Sequence, residues 1–356
     1  MSFSQTVKRT WNDNRLMSVL LELTYACNLD CTFCYNDLSL GGKRLSLEQY
    51  RELLDDLAGL GVLHLTLTGG EPLAHPRFFE IAGHARSLGF VIRIKTNGHA
   101  VKEPVARRIR EEVDPFLVEV SLHGASGATH DKQTRVPGSF ERLVTNIRTM
   151  KLLGLRVKVN SVLTRWNEHE VESMLALFDE LEVGFQIDPE VKPKDNGDRS
   201  PLGIEASPEG QARYRRALQA LARRDGILVD APTVAASRRA IVAGTDKHCG
   251  AGSNNIAVDP YGGVLPCVQW RVPVGNLHEQ RVTEIWAQSG ALRGIRETTK
   301  AVRRKLEGLG DAGIASNFCP GAAHTYSGDA LAVYPPAAQR MAESGRARVR
   351  LAVIEE

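Results

Sequence analysis

The feature that most limits how this chain can fold is a repeated exchange between two periodicities over residues 19–188. "VLLEL" (19–23) is a continuous apolar-rich run suited to a strand buried in a parallel sheet. "SLEQYRELLDDLAGLG" (46–61) opens on a Ser cap and closes at Gly, with Leu and Tyr at helical spacing. "LHLTLT" (63–68) alternates as a strand. The exchange continues through a helix near 77–88, strand "VIRIKT" (91–96), a helix near 102–112 and strand "FLVEVSL" (116–122). A helix near 139–153, strand "RVKVNSVL" (156–163), a helix near 168–181 and strand "GFQID" (184–188) complete it. Strand–helix alternation implies an α/β fold with a parallel sheet. Six strands are too few for a closed eight-stranded barrel, so an open or partial (β/α)6 barrel is expected, with function at the C-terminal ends of its strands. The cysteines near residue 30, "GGE", "TNG" and "SLHG" each follow a strand and would converge on that rim.

Charge and composition narrow the function. With 45 basic and 42 acidic residues, the net charge of +3 argues against a dedicated nucleic-acid binder. The start "MSFSQTVKRTWNDNRLMS" lacks the apolar core of a signal peptide, and no run is long enough for a membrane span, so no membrane partner is expected. The chain reads as cytoplasmic, where thiols stay reduced. Its 6 cysteines are then better read as metal ligands than as disulfides.

The organisation along the chain reads as a lead (1–17), a barrel (18–192), a linker with a bridging helix (193–245), a small α+β unit (246–328) and a tail (329–356). "PEVKPKDNGDRSPLGIEASPEG" (189–210) is rich in Pro, Gly and charge, as linkers are. The basic helix "QARYRRALQALARRDG" after it reads as a solvated face. "GLGDAG" (308–313) matches a dinucleotide-binding pattern but follows a charged helical stretch rather than a strand, so it reads as a loop.

The cysteines form two groups. Cys27, Cys31 and Cys34 lie within "CNLDCTFCY" (27–35). Three thiolates from one loop suit a [4Fe–4S] cube with one iron left free for a small molecule. The spacing alone also admits zinc with a distant fourth ligand, or buried unreactive thiols. Cys249, Cys267 and Cys319 form the second group.

The CxxxCxxC spacing, with Phe33 just before the third cysteine, resembles the radical S-adenosylmethionine (AdoMet) superfamily. The resemblance runs over about 18–190 and includes "TGGEPL" (68–73), "KTNG" (95–98), "SLHG" (121–124) and "HDKQTR" (130–135). It implies that Cys27, Cys31 and Cys34 hold the cluster while Gly69, Gly70 and Glu71 hold the methionine amino group. It further implies Ser121 at the ribose and Arg135 at the carboxylate, with Phe33, Asn97 and Asn160 as further cofactor-binding residues. No catalytic residue is assigned beyond the cluster ligands. His123 stands where peptide-modifying relatives often carry Asp, and is expected to cap its loop. The implied chemistry is reductive cleavage of AdoMet to a 5′-deoxyadenosyl radical that abstracts a hydrogen atom.

"CGAGSNNIAVDPYGGVLPCVQW" (249–270), "VGNLHEQRVTEIW" (274–286) and "FCPG" (318–321) resemble the SPASM/twitch extension, which holds an auxiliary [4Fe–4S] cluster. The turn in "IAVDPYGGVLPC" is expected to bring Cys249 and Cys267 to neighbouring strands. Three cysteines allow one auxiliary cluster, with His248, His278 and His324 as candidates for a fourth ligand.

The combined resemblance is to maturases of ribosomally made peptides, which crosslink, epimerise, oxidise or excise. The alternatives are a small-molecule dehydrogenase or oxidase acting on an aminocyclitol or tetrapyrrole side chain, and a non-catalytic iron–sulfur electron carrier. The expected partners are a precursor peptide and an electron donor of flavodoxin or ferredoxin type. The lead before the first strand is short for a leader-binding domain, so a separate recognition protein, or docking on the barrel rim, is expected.

Overall fold

Six short strands stand side by side with their C-terminal ends level. In the computed structural model, which describes residues 3–225 and 244–352, these are β1 (Ser18–Glu22), β2 (His64–Thr68), β3 (Val91–Thr96), β4 (Leu117–Ser121), β5 (Val157–Val162) and β6 (Gly184–Asp188). Each pairs parallel with the next in chain order. Helices α1 (Phe3–Asn12), α2 (Leu47–Gly59), α3 (Phe78–Ser87), α4 (Glu103–Arg108), α5 (Gly127–Thr134), α6 (Ser139–Leu152), α7 (Val171–Glu180) and α8 (Pro208–Arg224) lie along the chain around them. The start of α2 shows how local sequence fixes an element. Ser46 Oγ accepts from the Gln49 amide at 3.2 Å while Gln49 Oε1 accepts from the Ser46 amide at 3.1 Å, a reciprocal cap that satisfies two otherwise orphaned donors.

The two faces of the sheet differ because side chains alternate along a strand. Leu21, Leu65, Leu67, Ile94, Val118, Val120 and Val159 are at most 1 % exposed and belong to the same apolar core as Leu54, Leu57, Ile81, Leu143, Ile147 and Met174 of the helices. Most alternate positions are polar, with Leu20, Val91, Leu117 and Val162 as exceptions. Lys95 pairs in register with Glu119, Glu119 with Lys158, and Ser121 with Asn160. A closed eight-stranded barrel fills its interior with branched apolar side chains; this half-open one leaves room for a cavity.

Several elements depart from the sequence expectation, among them "GLGDAG" (308–313), read as a loop but helical over Gly310–Ala315, just after the helix that ends at Gly308. The helix expected near 102–112 ends in a wider π-type turn, Ile109–Val113, closed by Asp114 in the left-handed region at φ 47°. Helix α5 was not foreseen, because "GATHDKQT" has no apolar stripe.

The C-terminal unit is continuous with the barrel. β7 (Asn255–Val258) pairs parallel with β1, and β8 (Gly263–Leu265) and β9 (Gly275–Asn276) add antiparallel strands beyond it. The result is one nine-stranded sheet, in the order β6-β5-β4-β3-β2-β1-β7-β8-β9. Helices Val282–Gln288, Gly290–Gly308, Pro320–Ser327 and Pro335–Ala352 follow among others. Among the described residues, no helix is long and apolar enough to cross a membrane.

Candidate functional site

The loop after β1 is fastened to the loop after β2 largely through backbone, with Asn36 Nδ2 also donating to the Gly69 carbonyl at 3.2 Å. The amides of Gly70 and Glu71 donate to the carbonyls of Thr24 and Ala26 at 2.6 and 2.9 Å. This approach needs glycine. A Cβ on Gly69, whose φ is +147°, would stand 2.2 Å from the Thr24 carbonyl oxygen, and one on Gly70 would stand 2.6 Å from the carbonyl oxygens of Tyr25 and Ala26. The cysteine loop also docks on the end of α5, where Asp30 and Thr32 donate to the carbonyls of Thr134 and Gln133.

The three thiols of this loop sit close enough to perturb one another. Burial pushes the Cys31 thiol up to about 12, and the neighbouring Cys34 and Cys27 sulfurs add to the rise. Burial also raises Cys27 and Cys34. Three thiols whose surroundings resist ionisation need a cation to deprotonate them, and a coordinating metal does so. Cys27 Sγ already accepts from the Leu29 amide at 3.4 Å and from Asn97 Nδ2 at 3.7 Å, while that same Nδ2 donates to Asn28 Oδ1 at 2.7 Å. Hydrogen bonds of this kind orient a sulfur ligand and tune what it binds. Among the described residues, no three His, Cys, Asp or Glu side chains are drawn close enough to hold a single metal ion. A four-iron cube interposes its own iron and sulfide atoms between the thiolates and does not require that closeness.

One cavity of about 340 Å³ gathers most of the expected residues: Cys27, Cys31, Phe33, Cys34, Gly69, Gly70, Asn97, Ser121 and Asn160 all line it. That volume suits one small-molecule ligand. Glu71 and Arg135 are placed differently. The Glu71 carboxylate is 2 % exposed, and its oxygens accept from Thr96 Oγ1 at 2.7 Å, the Asn97 amide at 2.7 Å and the Leu73 amide at 3.1 Å. It braces the ends of β2 and β3, and burial holds its pKa above the ordinary carboxylate range. Arg135 lies outside the cavity lining and pairs with Asp30 at 3.0 Å on the exposed side of the cysteine loop. His123 lines the cavity edge-on to Phe33, with ring centroids 4.6 Å apart. Its Nδ1 accepts from the Val162 amide at 3.2 Å, so it caps the neighbouring strand, and burial lowers its pKa to about 3 and keeps it neutral.

Sequence reasoning missed part of the lining. Lys95, Glu119, Gln186, Asp188 and Lys192 also face the cavity, as does Gln269 from the C-terminal unit. Glu119 is buried, accepts from Asn160 Nδ2 at 2.6 Å and lies 3.5 Å from Lys95 Nζ. The signal for Lys95 and Glu119 was present as charged residues on the alternate positions of otherwise apolar strands. No local signal marks Gln269.

The second triad is assembled from three places. Cys249 and Cys267 lie beyond strand ends rather than on neighbouring strands, and the Gly252 amide donates to the Pro266 carbonyl at 3.0 Å between them. Cys319 is the N-cap of helix Pro320–Ser327, its Sγ accepting from the Ala322 amide at 3.4 Å. Burial pushes the Cys267 thiol up to about 11, with the nearby Cys319 sulfur contributing. His248 Nε2 lies 2.8 Å from the Phe318 carbonyl and so ties the Cys249 and Cys319 segments together. His278 spends both ring nitrogens on the Lys43 carbonyl and Gln49 Nε2, which removes it as a ligand in this arrangement.

Comparison with known proteins agrees with this geometry. The radical SAM superfamily model matches residues 21–178, and the SPASM iron–sulfur cluster-binding domain matches 249–307. The chain is 28% identical over 298 residues to the AdoMet-dependent heme synthase of Methanosarcina barkeri, covering 78% of this chain and 83% of that one. It is 29% identical over 293 residues to the mycofactocin maturase MftC of Mycobacterium tuberculosis, covering 79% and 72%. It is 28% identical over 329 residues to the PqqA peptide cyclase of Xanthomonas axonopodis, covering 90% and 87%. In fold it is similar to the structure of anSMEcpe with bound AdoMet and Cp18Cys peptide, with a TM-score of 0.68 at 20% identity over 96% of this chain and 99% of that one.

Proposed function

We propose that this chain, a radical SAM superfamily enzyme carrying a SPASM domain, modifies a ribosomally synthesised peptide by hydrogen-atom abstraction. The observation that carries the reading is the single cavity onto which the first cysteine triad, the Gly69–Gly70 turn, Ser121, Asn160 and the C-terminal Gln269 converge. A [4Fe–4S] cluster with AdoMet supplies the reducing cleavage that yields a carbon radical. The protein's own part is binding, orientation and exclusion of water. Cys27, Cys31 and Cys34 hold the cluster, with Asn97 steering the Cys27 sulfur. The tight turn at Gly69 and Gly70 brings bare backbone to the amino group of AdoMet, Ser121 and Asn160 offer side-chain partners to the ribose, and Phe33 with His123 walls the rim. Glu71 acts through the turn it braces, whereas Arg135, spent on an exposed pair with Asp30, is given no part in binding. Cys249, Cys267 and Cys319 would hold an auxiliary cluster, and Gln269, two residues after Cys267, lines the cavity.

The likeness to a peptide cyclase over most of both chains supports a peptide substrate. The likeness to a heme synthase supports a second reading, oxidation of a tetrapyrrole side chain. A flavodoxin- or ferredoxin-type protein would supply electrons, and a separate recognition protein, or the barrel rim itself, would hold the precursor. The test incubates the reconstituted enzyme with AdoMet, reductant and, where a short open reading frame neighbours its gene, the peptide that frame encodes. The expected result is a mass change in the peptide matched by 5′-deoxyadenosine. An unchanged peptide alongside a consumed tetrapyrrole would overturn the peptide reading in favour of the second.

A further inference from the structure

A buried charged cluster lies between the two cysteine triads. Glu22, at the end of β1, is 1 % exposed and accepts from Arg271 Nη1 and Nη2 at 2.6 and 2.7 Å and from the Tyr25 hydroxyl at 3.0 Å. Arg271 is also bonded to a second carboxylate, Asp195, through Nε at 2.9 Å and Nη2 at 2.8 Å. The side chains of Arg271 and Asp195 are 12% and 11% exposed. Burying such a group costs desolvation that its pairing only partly offsets, so packing stability alone does not account for it.

Its members join the parts that carry sulfur. Glu22 precedes the first cysteine loop. Asp195 comes from the linker, and its amide donates at 2.8 Å to the carbonyl of Tyr35, the residue after Cys34. Arg271 follows the turn in which the Trp270 amide donates to the Cys267 carbonyl at 3.0 Å. The backbone of Asp195 is thus tied to the loop of the first triad, and Arg271 follows the turn that carries a cysteine of the second.

We propose that Arg271 and Asp195 are positioning residues that fix the Cys34 and Cys267 loops on one another and bias the two clusters in opposite senses, Asp195 making the first harder to reduce and Arg271 making the auxiliary one easier. Iron–sulfur potentials respond to nearby charge and hydrogen bonding. The consequence is a more strongly reducing cluster where AdoMet would be cleaved.

The inference rests on the reading that each triad holds a cluster. A wild-type chain that binds no iron would overturn that reading first, whereas iron-loaded variants with unmoved potentials would overturn this one alone. The experiment is a redox titration followed by electron paramagnetic resonance on the reconstituted full chain, comparing wild type with Asp195→Asn, Arg271→Met and Arg271→Lys. Asp195→Asn is expected to raise the first cluster's potential by about a tenfold change in the reduced ratio, 59 mV for one electron. Arg271→Met is expected to lower the auxiliary potential by a similar factor, and Arg271→Lys to restore most of it. Should Arg271→Met fail to fold, Asp195→Asn decides, being near-isosteric. Unmoved potentials with wild-type iron content would reduce the cluster of charges to structural ballast and contradict the proposal.

Discussion

The two cysteine triads are drawn from the chain by different routes. The first lies within one loop after β1, and its neighbours are the Gly69–Gly70 turn and the end of α5. The second draws one cysteine from before β7, one from after β8 and one from a helix N-cap. A loop with fixed spacing carries its ligands wherever its strand goes. A triad spread from 249 to 319 exists only once β7 has paired with β1 and helix Pro320–Ser327 has docked. The membership of both triads can be read from residues, whereas the route by which the second is assembled is visible only in the fold.

The strongest way to break this contrast is to delete the first triad. Replacing Cys27, Cys31 and Cys34 with Ala is expected to abolish reductive cleavage of AdoMet, measured as 5′-deoxyadenosine under dithionite. Cleavage that survived would move the chemistry away from that loop. Next in size, Gly69→Ala forces a Cβ into the Thr24 carbonyl at a backbone angle that side chains avoid, and should cost about 2–4 kcal/mol in denaturant unfolding. It should also weaken AdoMet binding while the auxiliary signal persists. A wild-type denaturation midpoint would show that the loop has room to shift.

Acid sharpens the picture further. Burial lowers His123 to about 3 and His130 to about 4, below the ordinary 6.5, so both are neutral when folded. Between pH 6.5 and 4 the unfolded chain binds protons that the folded chain refuses, so stability rises with pH there and is lost as pH falls. The slope approaches roughly 1.4 kcal/mol per pH unit for each histidine. Urea unfolding across that window checks it, and a flat profile would show that water reaches the rings. The smallest effect is expected from Arg135→Ala. Its exposed pair with Asp30 is worth under about 1 kcal/mol, and AdoMet affinity should be unchanged. A tenfold loss of affinity would place Arg135 on the cofactor, as the family resemblance implies.

Much of this was legible in the sequence, and the gaps have physical causes. The six barrel strands and the cap at Ser46 follow from side-chain period and local hydrogen bonding. The motif at 69–71 identified the glycines, whose need is local, but not that the Glu71 carboxylate is spent on Thr96, Leu73 and Asn97, because the direction of a side chain depends on what folds against it. The extension of the sheet through β7 was hidden because that pairing joins residues far apart in the chain. Glu22 lies within the apolar-rich run 19–23 and was not singled out, and its partners Arg271 and Asp195 come from distant segments and carry no motif.

The central claim is that each triad holds its own cluster and that only the first is needed for AdoMet cleavage. Its most direct test is the iron and sulfide content, with the reduced spectrum, of the anaerobic wild-type chain beside the Cys27/Cys31/Cys34→Ala chain. The account predicts that the variant keeps about half the wild-type iron and a reducible cluster at Cys249, Cys267 and Cys319. A variant holding no iron, or as much as wild type, would contradict it.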